Sequence, residues 1–280
     1  MHIEPSGQSH GATVHDLDLS KPLSVDLIAE LREQWLVYGV LAFPNQSLDD
    51  DGLERYTEHF GGFGDDPFIA PIPGRTHVIA VERRADEKAS LFAENWHTDW
   101  SFQERPPAGT CLYSLVVPPT GGDTLFVNQT LALEAMPDTL RRKLEGRQAI
   151  HSARGAYAPD GTYGDEDQAS GRSMRIRPSS DAGATFNHPL ICEHPETGRQ
   201  HLYGCIGYIV GIEGMDQQEA LGLLHELHEW QTGEAFVYRH QWAANTLLMW
   251  DNRVELHRAT GGYEGFDRLL HRTTIAAWAA

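Results

Sequence analysis

Two short polar segments set far apart constrain this chain more than any other feature. One is Asn95-Trp96-His97-Thr98-Asp99-Trp100; the other is Trp250-Asp251-Asn252-Arg253-Val254-Glu255-Leu256-His257, with Arg268 and Arg272 close behind. On a strand, residues i and i+2 share a face, so His97 and Asp99 can grip one ion while Thr98 points away. A further ligand from a distant strand, His257, completes two imidazoles and one carboxylate on one side of a metal. That is the donor set of a facial iron(II) site, which leaves neighbouring positions open for oxygen chemistry. An arginine a short strand beyond the second histidine suits the far carboxylate of a 2-oxoacid, because a planar guanidinium grips a carboxylate with two parallel bonds.

The His-x-Asp spacing alone is weak: with 15 histidines in the chain, about one such match is expected by chance. His2-Ile3-Glu4 and His194-Pro195-Glu196 have similar spacing. The first falls in an N-terminus expected to be loose, and the second in Glu193 to Gly198, which reads as a turn. A lone histidine is more often a satisfied, half-buried side chain. The combination with the C-terminal segment is what singles out His97.

The residues also resemble a known family, the taurine and phenoxyacetate (TauD/TfdA-like) dioxygenases, from about Gly11 to Trp278. The resemblance rests on Trp96 to Phe102 (WHTDWSF), Pro106-Pro107-Ala108, and Pro118-Pro119-Thr120-Gly121-Gly122-Asp123-Thr124. It continues through His188-Pro189-Leu190 and His194-Pro195, then Trp250 to Arg253 (WDNR), His257-Arg258, Arg268 and Arg272. It implies a mainly β fold with flanking helices, the double-stranded β-helix (jelly roll, cupin-like). It also implies an iron(II)- and 2-oxoglutarate-dependent dioxygenase that releases succinate and carbon dioxide. By position, His97, Asp99 and His257 match the iron ligands, while Thr124 and Arg268 match the residues that hold the distal carboxylate of 2-oxoglutarate. Arg272 matches an arginine that meets an anion, of the substrate or of the 2-oxoacid head; the plainer reading is a surface ion pair. Retention of Asp99 implies hydroxylation, since halogenating relatives replace that carboxylate with a small residue.

The resemblance bears on the substrate as well. Taurine enzymes carry a histidine before a proline ahead of the His-x-Asp segment, where this chain has Asp66-Pro67. Ser101-Phe102-Gln103, Val116 to Pro119 and Phe236 to His240 look more like the phenoxyacetate branch. The expectation is a small organic anion, a carboxylate first and a sulfonate or alkyl sulfate as alternatives, with dioxygen as the other reactant. Asn95, Phe68, Phe102 and Arg272 are the substrate-contact candidates. Trp100 and Tyr113 are further aromatic candidates, each also readable as ordinary core.

Composition bounds the remaining choices. A chain of 280 residues with 40% hydrophobic content suits one β-barrel domain over residues 1–280. No apolar run of about 20 residues and no charged-then-apolar leader is present, so neither a membrane span nor a signal peptide is expected. Cys111, Cys192 and Cys205 form no CxxC pair and read as free thiols of a cytoplasmic protein. The net charge of −18 argues against nucleic acid and repels small anions at long range, so an anion must be held by local groups. Two other classes stay open, a non-catalytic jelly-roll anion binder and a metal hydrolase. The second lacks a dedicated general base and leaves the arginines unexplained. A homo-oligomer fits the resemblance.

Periodicity places helices over Ser24 to Tyr38, with Ser24 as cap, over Ser47 to Phe60, over Thr130 to Glu145 with a break at Met136-Pro137, and over Gln217 to Thr232. Gly39 to Phe43 reads as a buried strand, Thr76 onward as mostly strand, and Thr246 to Asp251 and Arg268 to Ala276 as the last strands. Ala153 to Ala184 shifts to Gly, Ser, Asp and Arg, and reads as a lid that orders over the metal when ligands bind. His225-Glu226-Leu227-His228 lacks the i, i+4 histidine spacing of a zinc protease and reads as the solvent face of its helix.

Overall fold

The strand Leu247–Asp251 shows how the chain is layered. Leu247 and Met249 pack into one buried cluster and Leu248 and Trp250 into another, as the two-residue period of a strand requires. The first cluster brings in Leu31 and Trp35 of the helix Val25–Tyr38 and Leu53 and Tyr56 of the helix Asp50–Glu58. The second brings in Phe126 and Tyr238 from a facing sheet. A strand covered on both sides has no solvent face, which is why it reads as an unbroken apolar run.

The computed structural model describes residues 1–277; Trp278, where the family resemblance ends, lies outside them. A seven-stranded sheet runs in the order His2–Pro5, Ala12–His15, Val40–Phe43, Leu247–Asp251, Gly109–Val116, Arg268–Ile275, Ile79–Arg83. Only the Ala12–His15 and Val40–Phe43 pair within it is parallel. Facing it is a three-stranded antiparallel sheet, Val237–His240, Thr124–Asn128, Glu255–Ala259. The two form a jelly roll whose mouth carries the polar segments. A second three-stranded sheet, Ile209–Ile212, Gln148–Ser152, Thr185–Pro189, joins its own apolar cluster with Leu223, Leu224 and Leu227 of the helix Gln217–Gln231.

The helix expectations hold in position and shorten at the ends. Ser24 accepts from the Leu27 amide at 3.2 Å and Asp49 from the Gly52 amide at 2.8 Å, satisfying first-turn donors that otherwise lack partners. Pro137, which has no amide hydrogen, divides Gln129–Glu134 from Asp138–Leu144. Helix Val25–Tyr38 ends at Gly39, whose φ is 71° and whose amide donates to the Trp35 carbonyl at 2.8 Å. A Cβ there would lie 2.2 Å from Glu255 Oε1. Backbone conformation and space therefore both demand glycine.

One expectation needs correction, and the segment read as a lid has a definite form. His2-Ile3-Glu4 is not loose but forms a strand paired with Ala12–His15. Residues 153–184 are folded, with short helices at Arg154–Tyr157 and Asp165–Ala169 and a 3₁₀ turn at Ser180–Gly183. Tyr157, Met174 and Ile176 from this segment pack against Phe68, Trp100 and Phe102, and Arg177 donates its amide to the Phe68 carbonyl at 2.8 Å. These apolar residues are widely spaced in a polar stretch, so no period announces them.

Behind the barrel, Asp251 anchors a buried polar network. Its carboxylate accepts from Arg253 Nε and Nη2, each at 2.7 Å, and pairs with His194 Nε2 at 3.1 Å. Arg253 also reaches Glu196 at 2.6 Å, and Glu196 takes Arg32 of the first helix at 2.7 Å. The network ties a core strand, the 194–198 turn and a flanking helix together. Burial opposes the ionised carboxylate, and Arg253 and His194 overcome that, holding Asp251 well below the usual range. Breaking a buried pair leaves the partner charge uncompensated. Asp251→Asn should therefore destabilise the fold by about 3 kcal/mol, read as a lower urea midpoint at unchanged slope.

Candidate active site

The two distant segments meet through a single backbone pairing. His97 and His257 form an isolated antiparallel bridge, the His97 amide donating to the His257 carbonyl at 3.0 Å and the His257 amide to the His97 carbonyl at 2.7 Å. Directly opposed residues project to the same face, and the two imidazole centroids lie 4.2 Å apart. Asp99 does not reach that face along a continuing strand, as the sequence reading supposed. After His97 the chain turns, with Trp100 at a φ of 52°. Thr98 points away, as expected, and donates to the Asn252 carbonyl at 2.6 Å.

Asp99 Oδ1 lies 3.8 Å from Nε2 of both histidines, and the three donor atoms fall within 4.8 Å of one another. His97 Nδ1 donates to the Asn95 carbonyl at 2.9 Å, which leaves Nε2 with its lone pair facing the cluster. Thr110 donates to Asp99 Oδ2 at 2.7 Å and accepts from Asn252 Nδ2 at 2.9 Å; Asn252 Oδ1 accepts from Trp250 Nε1 at 2.8 Å. This relay fixes Oδ2 and leaves Oδ1 facing the two histidines. Thr110 and Asn252 went unassigned in the sequence reading because a lone hydroxyl or amide carries no spacing signal.

Electrostatics suit a cation. Burial lowers the pKa of both histidines, that of His257 to about 3, with His97 adding to the effect there. Burial opposes ionisation of Asp99 but is outweighed, first by the Arg272 guanidinium, so its carboxyl stays below its ordinary range. A carboxylate and two neutral imidazoles converging in a buried site fit a divalent metal of borderline character.

Beside this cluster a cleft is lined by Thr124, Leu112, Trp250, Arg268, Arg272 and both histidines. Thr124 Oγ1 accepts from Trp242 Nε1 at 3.0 Å, which leaves its own hydrogen to donate. Arg268 is 6% exposed. Its Nη2 donates to the Gly122 carbonyl at 3.3 Å, and the guanidinium lies 5.9 Å from the Trp242 and Tyr263 ring centroids. It has no carboxylate partner among the described residues, and burial lowers its pKa. The Gly121-Gly122 turn lies close against it: Gly122 has a φ of 71°, and a Cβ on it would lie 3.3 Å from Arg268 Nε.

Arg272 is not at the surface. It is 4% exposed, donating to Asp99 Oδ1 at 3.3 Å and, by a short bond, to Asp66. Burial pushes the Asp66 carboxyl up, with Arg272 pulling it back. Asn95 is exposed but borders, with His97, a second cavity of about 160 Å³ lined by Tyr157, Tyr163 and Tyr208. Phe68 and Phe102 stand one layer behind it, Phe102 at 4.9 Å from Tyr208 by ring centroids. Tyr113 lies in the helix-facing core and bonds the Gln46 carbonyl at 2.9 Å.

Comparison with known proteins agrees with this geometry. The family described as taurine catabolism dioxygenase TauD, TfdA family, matches residues 2–274. The chain belongs to the TauD/TfdA family. It is 33% identical over 281 residues to the alpha-ketoglutarate-dependent 2,4-dichlorophenoxyacetate dioxygenase of Cupriavidus pinatubonensis, covering 94% of this chain and 93% of that one. It is 33% identical over 271 residues to the (S)-phenoxypropionate/alpha-ketoglutarate-dioxygenase of Delftia acidovorans, covering 92% and 89%. Among solved structures, AAD-2 in complex with Mn(II) and N-oxalylglycine superposes with a TM-score of 0.81 at 25% identity, over 99% of this chain and 98% of that one. This TauD/TfdA member is a non-haem iron(II)- and 2-oxoglutarate-dependent dioxygenase. Among the described residues, no helix is long and apolar enough to cross a membrane.

The buried histidines make the metal-free fold acid-sensitive. Their folded-state pKa values lie below the unfolded value of 6.5, so below that pH the unfolded chain binds more protons. Stability is full above about pH 7 and falls as pH drops through about 6.5, by about 1 kcal/mol per unit for each such histidine. Thermal melts of the metal-free protein between pH 7.5 and 5 should show this fall, and His257→Gln should reduce its slope.

Proposed function

We propose that this chain hydroxylates a C–H bond of a small organic molecule held beside His97, and that it converts 2-oxoglutarate to succinate and carbon dioxide in the same cycle. In this reading His97, Asp99 and His257 hold the iron(II), while Arg268 and Thr124 hold the distal carboxylate of 2-oxoglutarate. The observation that carries it is Arg268, a buried guanidinium without a carboxylate partner among the described residues, lining the cleft that the two histidines border. A buried cation left unpaired is costly, and a dicarboxylate that reaches both this arginine and the metal removes the cost.

Bound iron(II) supplies the activation of dioxygen, coupled to decarboxylation of the 2-oxoacid. The protein's part is positional. Thr110 and Asn252 keep Asp99 turned toward the histidines, and the Asn95 carbonyl keeps the His97 tautomer. The segment 153–184 acts as a lid: Tyr157 and Tyr163 form a wall of the cavity next to His97, and closing it excludes water. Cys111, Cys192 and Cys205 are all free, which supports a cytoplasmic setting.

Anaerobic titration with iron(II) and then 2-oxoglutarate tests the reading. A weak visible charge-transfer band should appear only with both. Asp99→Ala should abolish hydroxylation. Arg268→Ala should weaken 2-oxoglutarate binding about 100-fold, the loss expected for one charged hydrogen-bonded partner, while leaving metal binding intact. No band and no iron binding would leave a non-catalytic jelly-roll binder as the better description.

A further inference from the structure

The sequence reading gave Arg272 the task of gripping an anion, but its charge is already matched. Asp99 Oδ1 faces both the histidines and Arg272, so Asp99 belongs to the metal cluster. The remaining counter-ion is Asp66, whose side chain is 8% exposed and bonded to Arg272. Asp66 is held in place from its other sides, accepting from Trp100 Nε1 at 2.9 Å and Thr274 Oγ1 at 3.4 Å. A guanidinium is permanently charged, and the Asp66 carboxyl is bonded directly to it in a buried site.

The cavity beside His97 carries the second observation. Phe92, Trp96, Tyr157, Tyr163 and Tyr208 dominate its walls, and among the described residues no lysine, arginine, aspartate or glutamate lines it. A substrate anion would have no free cation to meet there, and it would approach a molecule whose net charge is −18. Arg272 retains one buried donor, Nε, with no partner among the described residues, so it can still give a hydrogen bond to an uncharged oxygen.

We infer that Asp66 is a specificity-determining residue that neutralises Arg272, and that the substrate is an uncharged, aromatic or apolar molecule rather than a carboxylate or sulfonate. This rests on the dioxygenase reading above and refines its substrate. The relatives named above include an enzyme for an aryloxy carboxylate, so the change of charge, with the aromatic walls kept, is the point under test.

The test uses the protein loaded anaerobically with iron(II) and 2-oxoglutarate, with displacement of the charge-transfer band as the readout. Phenoxyacetate and its uncharged isostere phenoxyacetamide are the probes. Asp66→Asn keeps the shape and removes the charge, so it should tighten phenoxyacetate by about tenfold or more over the unsubstituted protein. Failure of Asp66→Asn to gain affinity for the anion, with the band itself intact, overturns the inference. If Asp66→Asn does not fold, the unsubstituted protein decides: preference for the amide supports the inference, and equal or tighter binding of phenoxyacetate, or binding of neither, overturns it. Absence of the band before any probe is added would instead defeat the dioxygenase reading.

Discussion

The pairing of His97 with His257 is the contact on which the site depends. One pair of reciprocal backbone hydrogen bonds joins an irregular loop to the strand Glu255–Ala259 and sets the two imidazoles side by side, with the Ala259 amide on the Ala93 carbonyl at 2.8 Å holding the loop further along. The rest of the barrel supports the strand. Phe126 and Trp250 pack on the His257 ring, and the carboxylate arrives from a turn held by Thr110. The ligand set is thus built from one register position and one turn. A local defect in either separates the donors without unfolding the sheets.

Arg268 and Arg272 stand on the same face of one strand, and they differ in what surrounds them. Arg268 is bordered by a carbonyl and two aromatic rings, and its charge remains available. Arg272 is bordered by two carboxylates, and its charge is spent within the fold. Side-chain identity and spacing are the same kind of signal for both; only the neighbours brought by Asp66 and Asp99 separate them.

Much of this was legible in the sequence. The strand ending at Asp251, the cap at Ser24 and the break at Met136-Pro137 each follow from local chemistry, and the structure keeps them within a few residues. The His-Asp-His cluster was legible because two rare segments had to be explained together. What was not legible depends on contacts across the chain: the turn at Trp100, the relay through Thr110 and Asn252, and the aromatic packing of 153–184. The inward side of Arg272 follows from the strand period, but its ion pair does not, for the same reason. Its partner Asp66 is 206 positions away, and a single aspartate before a proline suggests a turn and nothing more.

The glycine that ends the first helix ties a remote surface to the metal. Glu255, which fills the space a side chain on Gly39 would need, pairs with His10 at 3.0 Å and accepts from Asn128 at 2.7 Å, two residues before His257. The close fit makes Gly39 a point where helix termination and ligand placement are one structural event. In a survey of random variants, changes at this helix end would score among active-site lesions although they touch no ligand. The fold therefore fixes the residue allowed at Gly39, on the far side of the barrel, through the same strand that presents His257.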